Sequence, residues 1–142
     1  MPFMKSVPKV GLTGERRFPV ESQHAIAFTE GGMPAVLSTP CLVGFLETTA
    51  RIALAECLDE GENSVGIEIE VRHLAPTPPG QTVVCLARVI HVDGSRIAFQ
   101  LEARDEQEII ARGYHRRQVV RVASFARRVE AKTRGVPRST GA

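Results

Sequence analysis

Residues 39–73 read TPCLVGFLETTARIALAECLDEGENSVGIEIEVRH, and two different periods meet inside this stretch. From Thr39 to about Leu58, the apolar residues Leu42, Val43, Phe45, Leu46, Ala50, Ala53, Leu54 and Cys57 recur at helical spacing. They cover far more than a narrow stripe, so this helix is expected to be buried on most sides. Thr39 is the expected N-cap, with Pro40 at the first helical position, where a missing N–H costs nothing. From Ser64 the period falls to two. Val65, Ile67, Ile69 and Val71 alternate with Gly66, Glu68, Glu70 and Arg72, the pattern of a strand with one buried face. Continued alternation puts His73 on that apolar face.

Beyond this stretch the chain reads as more strands. Ala75–Gly80, with three prolines, breaks the first run. A second strand is expected over about Gln81–His91, followed by a tight turn at Asp93-Gly94. A third has Ile97, Phe99, Leu101 and Ala103 on one face, and a fourth covers about Glu108–Val122. Residues 123–133 read as a short basic helix. Upstream, the segment through Gly14 reads as a loose arm, Arg17–Phe28 holds two short strand-like pieces, and Glu30–Pro34 is a loop. No helix separates the last four strands, so a parallel sheet with helices on both faces does not fit. A helix that is apolar nearly all round needs cover, and an antiparallel meander must supply it. The expectation is an α+β domain of the hotdog type, a curved antiparallel sheet wrapped around a central long helix.

The chain has 142 residues, enough for one domain to fold without disulfide or metal. A single domain over residues 1–142 is expected, with residues 1–14 and 134–142 loose. The net charge of +2 is too small to argue for nucleic acid, and one Tyr with no Trp leaves few aromatics for stacking on bases. Residues 104–134 hold nine Arg or Lys against four Asp or Glu. That excess is first a solvated basic edge, with attraction of a polyanion such as the phosphates of coenzyme A as the functional alternative. Cys41, Cys57 and Cys85 are odd in number and scattered, which suits reduced core thiols better than a disulfide framework or zinc site. No signal peptide or membrane-spanning run is visible, so a cytoplasmic protein is expected, with no metal and no cofactor.

Three residues stand out chemically. Glu47 sits mid-helix, where a carboxylate is either paired, with Arg51 four residues on, or kept in a cleft for nucleophilic or base work. His73 ends a strand beside a Pro-rich loop, as a satisfied core histidine or a cleft residue. Thr39 opens the helix among free backbone N–H groups, which suit a developing oxyanion. Thr39 and Glu47 are eight residues apart, roughly 12 Å of helical rise. They cannot touch, but they can flank one extended substrate.

On these residues the chain resembles the fluoroacetyl-CoA thioesterase-like branch of the hotdog superfamily. The matching features lie in Leu37–Gly80: a Thr, then Val-Gly, then a Glu eight residues after the Thr, Gly66 seven residues before His73, and His73-Leu-Ala-Pro-Thr-Pro-Pro-Gly80. His115-Arg116-Arg117 is similar to the His-x-Arg near the end of that family's last strand. The resemblance implies a homodimer that hydrolyses a short acyl-CoA. Thr39, Glu47 and His73 would form its catalytic group, and Gly66 and Arg117 would bind the acyl end. Two features differ from that branch. Glu30–Ala35 carries no phenylalanine where the branch has lid phenylalanines, and Pro40 stands where it has Gly. The acyl group is therefore left open, as is the alternative of a non-catalytic acyl-CoA or small-ligand binding protein on the same fold.

Overall fold

The computed structural model describes residues 3–135. Strand β1 (Thr13–Pro19) leads through two single-turn 3-10 helices (Ser22–His24 and Glu30–Gly32) to helix α1 (Thr39–Ala55). Strands β2 (Glu62–His73), β3 (Thr82–Asp93), β4 (Arg96–Arg104) and β5 (Ile109–Arg121) follow, and helix α2 (Val122–Thr133) comes last. All strand pairs are antiparallel, in the order β1-β3-β4-β5-β2. Of the four-strand meander expected from the sequence, β3-β4-β5 is present, but β2 crosses over to pair with β5 instead of β3, and β1 takes the place beside β3 at the opposite edge.

The core forms between α1 and the concave face of the sheet. Val83, Cys85, Ala87 and Val89 of β3 and Ile97, Phe99, Leu101 and Ala103 of β4 meet Leu42, Phe45, Leu46, Ala50 and Leu54 of α1, all buried. The helix is buried or half-buried on most sides, as expected, but Pro40, Gly44, Glu47, Arg51 and Ala55 form an exposed stripe along it. Mostly apolar residues fill the rest of the circumference, with Thr49 buried among them and its hydroxyl donating to Phe45 O at 2.8 Å.

The even alternation read in β2 is interrupted. Gly66 pairs with Arg117 while Glu68 pairs with Arg116, so Ile67 is an extra residue forming a β-bulge. Ile67 and Ile69 are 44% and 37% exposed, not buried. Beyond the bulge Val71 packs against the core.

Among the described residues, the N-terminal arm is held from Met4 onward, not loose. Met4 is buried, and its N–H donates to the Glu62 carboxylate at 2.9–3.0 Å. Lys5 N–H donates to Cys57 O at 3.0 Å, and Gly11 N–H donates to Val89 O at 2.8 Å. Single hydrogen bonds of this kind leave no periodic trace in a sequence. Of the C-terminal stretch expected to be loose, Arg134 and Gly135 donate backbone N–H groups to the last turns of α2. The remainder lies outside the described residues.

Strand β1 approaches the helix closely at Gly14. A Cβ there would lie 2.6 Å from Ala53 Cβ and 3.4 Å from both Ala53 Cα and Thr49 O. Two of these are helix backbone atoms, so the clash cannot be relieved by a rotamer change. Gly14→Val should cost about 1–3 kcal/mol through overpacking. Urea unfolding should show this as a lower midpoint at unchanged slope.

Candidate active site

Helix α1 begins one residue earlier than expected. Ser38 is the N-cap and its Oγ accepts from Cys41 N–H at 3.3 Å, while Thr39 and Pro40 occupy the first two helical positions. Ser, Thr and Pro all favour this region, so the sequence alone does not separate the two registers. Because Ser38 caps the helix, the Thr39 hydroxyl is free for another partner. It lies 2.9 Å from His73 Nδ1. The loop after His73 secures this contact. Thr77, fully buried, accepts from Leu37 N–H through its carbonyl at 2.8 Å. Its hydroxyl donates to Asp105 Oδ2 at 2.9 Å. The Pro-rich loop is thus pinned to the start of α1 on one side and to the β4–β5 turn on the other.

His73 Nε2 is buried and has no hydrogen-bond partner. Burial pushes the His73 pKa below the ordinary imidazole value, partly offset by a backbone group of Ala75. A neutral ring is therefore expected near pH 7, with Nδ1 on Thr39 and Nε2 left without a partner.

A second group forms two helical turns along α1. Glu47 Oε2 is 3.5 Å from Arg117 Nη1, and this pair replaces the helical pair with Arg51 that the sequence left open. The Arg117 side chain is only 3% exposed, whereas that of Glu47 is 48% exposed. Arg117 is tied down by Ser64, its Nε and Nη2 donating to Ser64 Oγ and O, each at 2.8 Å. Gly66 adjoins the same cluster. A Cβ on it would contact the Glu47 carboxylate, with His115 Cε1 at 3.2 Å and Arg117 Nη1 at 3.6 Å. Glycine here makes room for the carboxylate.

The sequence-predicted residues therefore fall into two groups: Thr39 with His73, and Glu47 with Gly66 and Arg117. No hydrogen bond or ion pair joins them. Between them on the exposed stripe lies Gly44, with open space beside it. Sequence reading did not single out Ser38, Ser64 or Thr77, because small hydroxyl residues carry no periodic or charge signal. Cys57 and Cys85 are buried, as read from the sequence, and Cys41 is half-buried. Burial pushes the Cys85 thiol up to about 12, so it is not a nucleophile. Among the described residues no group of three or more His, Cys, Asp or Glu is placed to hold a metal ion.

His115 is likewise pushed below the ordinary imidazole value, chiefly by burial. For both histidines the folded pKa lies below the unfolded one, so the unfolded chain binds more protons in the intervening range. Their contribution to stability is complete above about pH 6.5 and is lost as the pH falls from there. Denaturant unfolding at pH 7.5 and 5.5 should therefore show lower stability at 5.5. Equal or greater stability at 5.5 would contradict the neutral buried state of these rings.

Comparison with known proteins identifies the family. Residues 20–123 match the family model described as fluoroacetyl-CoA-specific thioesterase. The fluoroacetyl-CoA thioesterase of Streptantibioticus cattleyicolor is 38% identical over 100 residues, covering 70% of this chain and 72% of that protein. The solved structure of the fluoroacetyl-CoA thioesterase FlK superposes with a TM-score of 0.83 at 32% identity, covering 89% of this chain and 98% of that one. A thioesterase superfamily member from Thermus thermophilus gives 0.81 at 27% identity, covering 93% and 99%. With the expected sheet-and-helix architecture in place, the chain belongs to the fluoroacetyl-CoA-specific thioesterase family of hotdog-fold proteins.

Proposed function

We propose that this thioesterase cleaves a short acyl-CoA laid along the exposed stripe of α1, with Thr39, Glu47 and His73 as its catalytic group. The observation that carries this reading is the Thr39–His73 contact of 2.9 Å at one end of the stripe, with the Glu47 carboxylate at the other. Glu47 attacks the thioester carbonyl or activates the group that does, and the thiol of coenzyme A leaves. Thr39 donates a hydrogen bond to the reacting carbonyl, helped by the free N–H groups of the first helical turn. His73 steers a water and carries protons between that water and the departing sulfur. Gly66 and Arg117 receive the acyl end. A short acyl group is proposed because the residues beyond Glu47 and Gly66, His115 and Arg117, are buried, and the His115 ring centroid lies 6.3 Å from that of Phe99. The Glu30–Gly32 turn lacks an aromatic side chain, so fluoroacetate selectivity is not part of the proposal.

We further propose a homodimer. The two sheet edges differ. β1 is seven residues long, carries Glu15, Arg16 and Arg17, and ends in Pro19, all of which discourage pairing. β2 is twelve residues long and exposes Ile67, Ile69 and Leu74 beside it. A second copy paired to β2 across a two-fold would extend the sheet and place a wall over the open stripe of α1. No helix among the described residues is long and apolar enough to cross a membrane. Three free cysteines suit a reducing compartment, and the cytoplasm is the proposed location.

Two measurements test this reading. Glu47→Gln keeps the shape of the side chain and should lower thiol release from a panel of short acyl-CoAs by about two orders of magnitude or more. His73→Ala should fold and hydrolyse poorly. Wild-type rates in folded variants would overturn the catalytic assignment, and binding without turnover by the wild type would favour a ligand carrier. Sedimentation at micromolar concentration should give about twice the mass of one chain. A clean monomer would overturn the dimer.

A further inference from the structure

His115 is buried on β5, 1% exposed, and both its ring nitrogens are engaged. Nδ1 lies 2.8 Å from the carbonyl oxygen of Glu68, which can only accept, so Nδ1 carries the proton. Nε2 lies 3.3 Å from Arg117 Nη1, which can only donate, so Nε2 carries the lone pair. The two contacts demand the same neutral tautomer, and no other protonation state satisfies both. Glu68 is the residue immediately after the bulge in β2, and Arg117 is the cation that holds Glu47. The ring therefore touches the bulge that turns Gly66 inward and the guanidinium that faces it.

We infer that His115 is a positioning residue: as the Nδ1–H tautomer it braces the β2 bulge against Arg117 and so fixes the guanidinium that holds the Glu47 carboxylate. This rests on the reading of Glu47 and Arg117 as site residues. The surroundings favour the neutral ring. Arg117 on β5 opposes a charge on it, and Arg51 on α1 opposes a charge on Arg117 in turn. Glu47 is the anion that acts in the other direction. A protonated Nε2 would lose its acceptor role and set two cations against each other.

A space-filling role makes a different claim, since phenylalanine would fill the same volume. His115→Phe removes both hydrogen bonds, whereas His115→Gln keeps a polar end near the position of Nε2. Ring-nitrogen NMR of the 15N-labelled wild type at pH 7.5 should show Nδ1 protonated and Nε2 bare. The Arg117 Nε–H resonance should be slow to exchange in the wild type and His115→Gln, and fast in His115→Phe. Hydrolysis of acetyl-CoA should fall on the order of tenfold to a hundredfold in kcat/KM for His115→Phe, with partial recovery in His115→Gln. A protonated Nε2 in the wild type, a slowly exchanging Arg117 Nε–H in folded His115→Phe, or wild-type kcat/KM in that variant would overturn the inference. If His115→Phe does not fold, the wild-type ring spectrum and His115→Gln decide it. The spectra need no turnover, so a wild type without hydrolysis would defeat the proposed function while leaving the brace separately tested.

Discussion

One extra residue in β2 organises the candidate site. Side chains on a strand alternate, so residues an odd number apart face opposite sides. Gly66 and His73 are seven apart, and an unbroken strand would turn one of them away from α1. The bulge at Ile67 changes the parity between them. As a result Gly66 meets Glu47 while His73 meets Thr39, both on the helix side of the sheet. A regular ladder cannot achieve this at any register. The local loss of pairing is small beside the ladder along the rest of β2, which pairs antiparallel with β5 from Glu62 to His73.

Around that constraint the fold supplies stiff supports. Arg117 is held by Ser64 at two of its nitrogens, and the Pro-rich loop is held by Thr77 to Leu37 and Asp105. Burial opposes ionisation of Asp105, yet the N–H groups of Gln107 and Glu108 and the Thr77 hydroxyl outweigh it and keep the carboxyl below its usual range. These supports lie behind the residues that face the stripe. The facing residues themselves are partly open: Glu47 shows nearly half of its side chain and Gly44 has free space beside it. Rigid backing with an open front is what a site needs if it is to be preorganised and still admit a ligand.

Most of the fold was legible from hydrophobic period. The α1 pattern, the β3–β4 hairpin and the buried face of β4 were read from residue spacing, and they are where the sequence placed them. Bulges were not legible, because Val65, Ile67, Ile69 and Val71 imitate perfect alternation while Ile67 is the inserted residue. The same false regularity placed His73 on the correct face by an incorrect count from Val65. The arm before β1 and the exchange of Ser38 for Thr39 at the cap were hidden for another reason. They depend on individual hydrogen bonds between residues far apart in sequence, or on a choice between two equally good capping residues. Of the site, Thr39 and His73 meet directly and Glu47 meets Arg117; the partners that hold them had no signature of their own.

The unlike edges of the sheet bear on crowding. The two edges are unequal for strand addition, since β2 is twelve residues long with Ile67 and Ile69 exposed, whereas β1 is seven residues long, charged and ends in Pro19. A unit with two receptive rims can add copies without end, as fibrils do. In the proposed homodimer β2 would already be paired, and each unit would then offer a further neighbour only the short, charged β1.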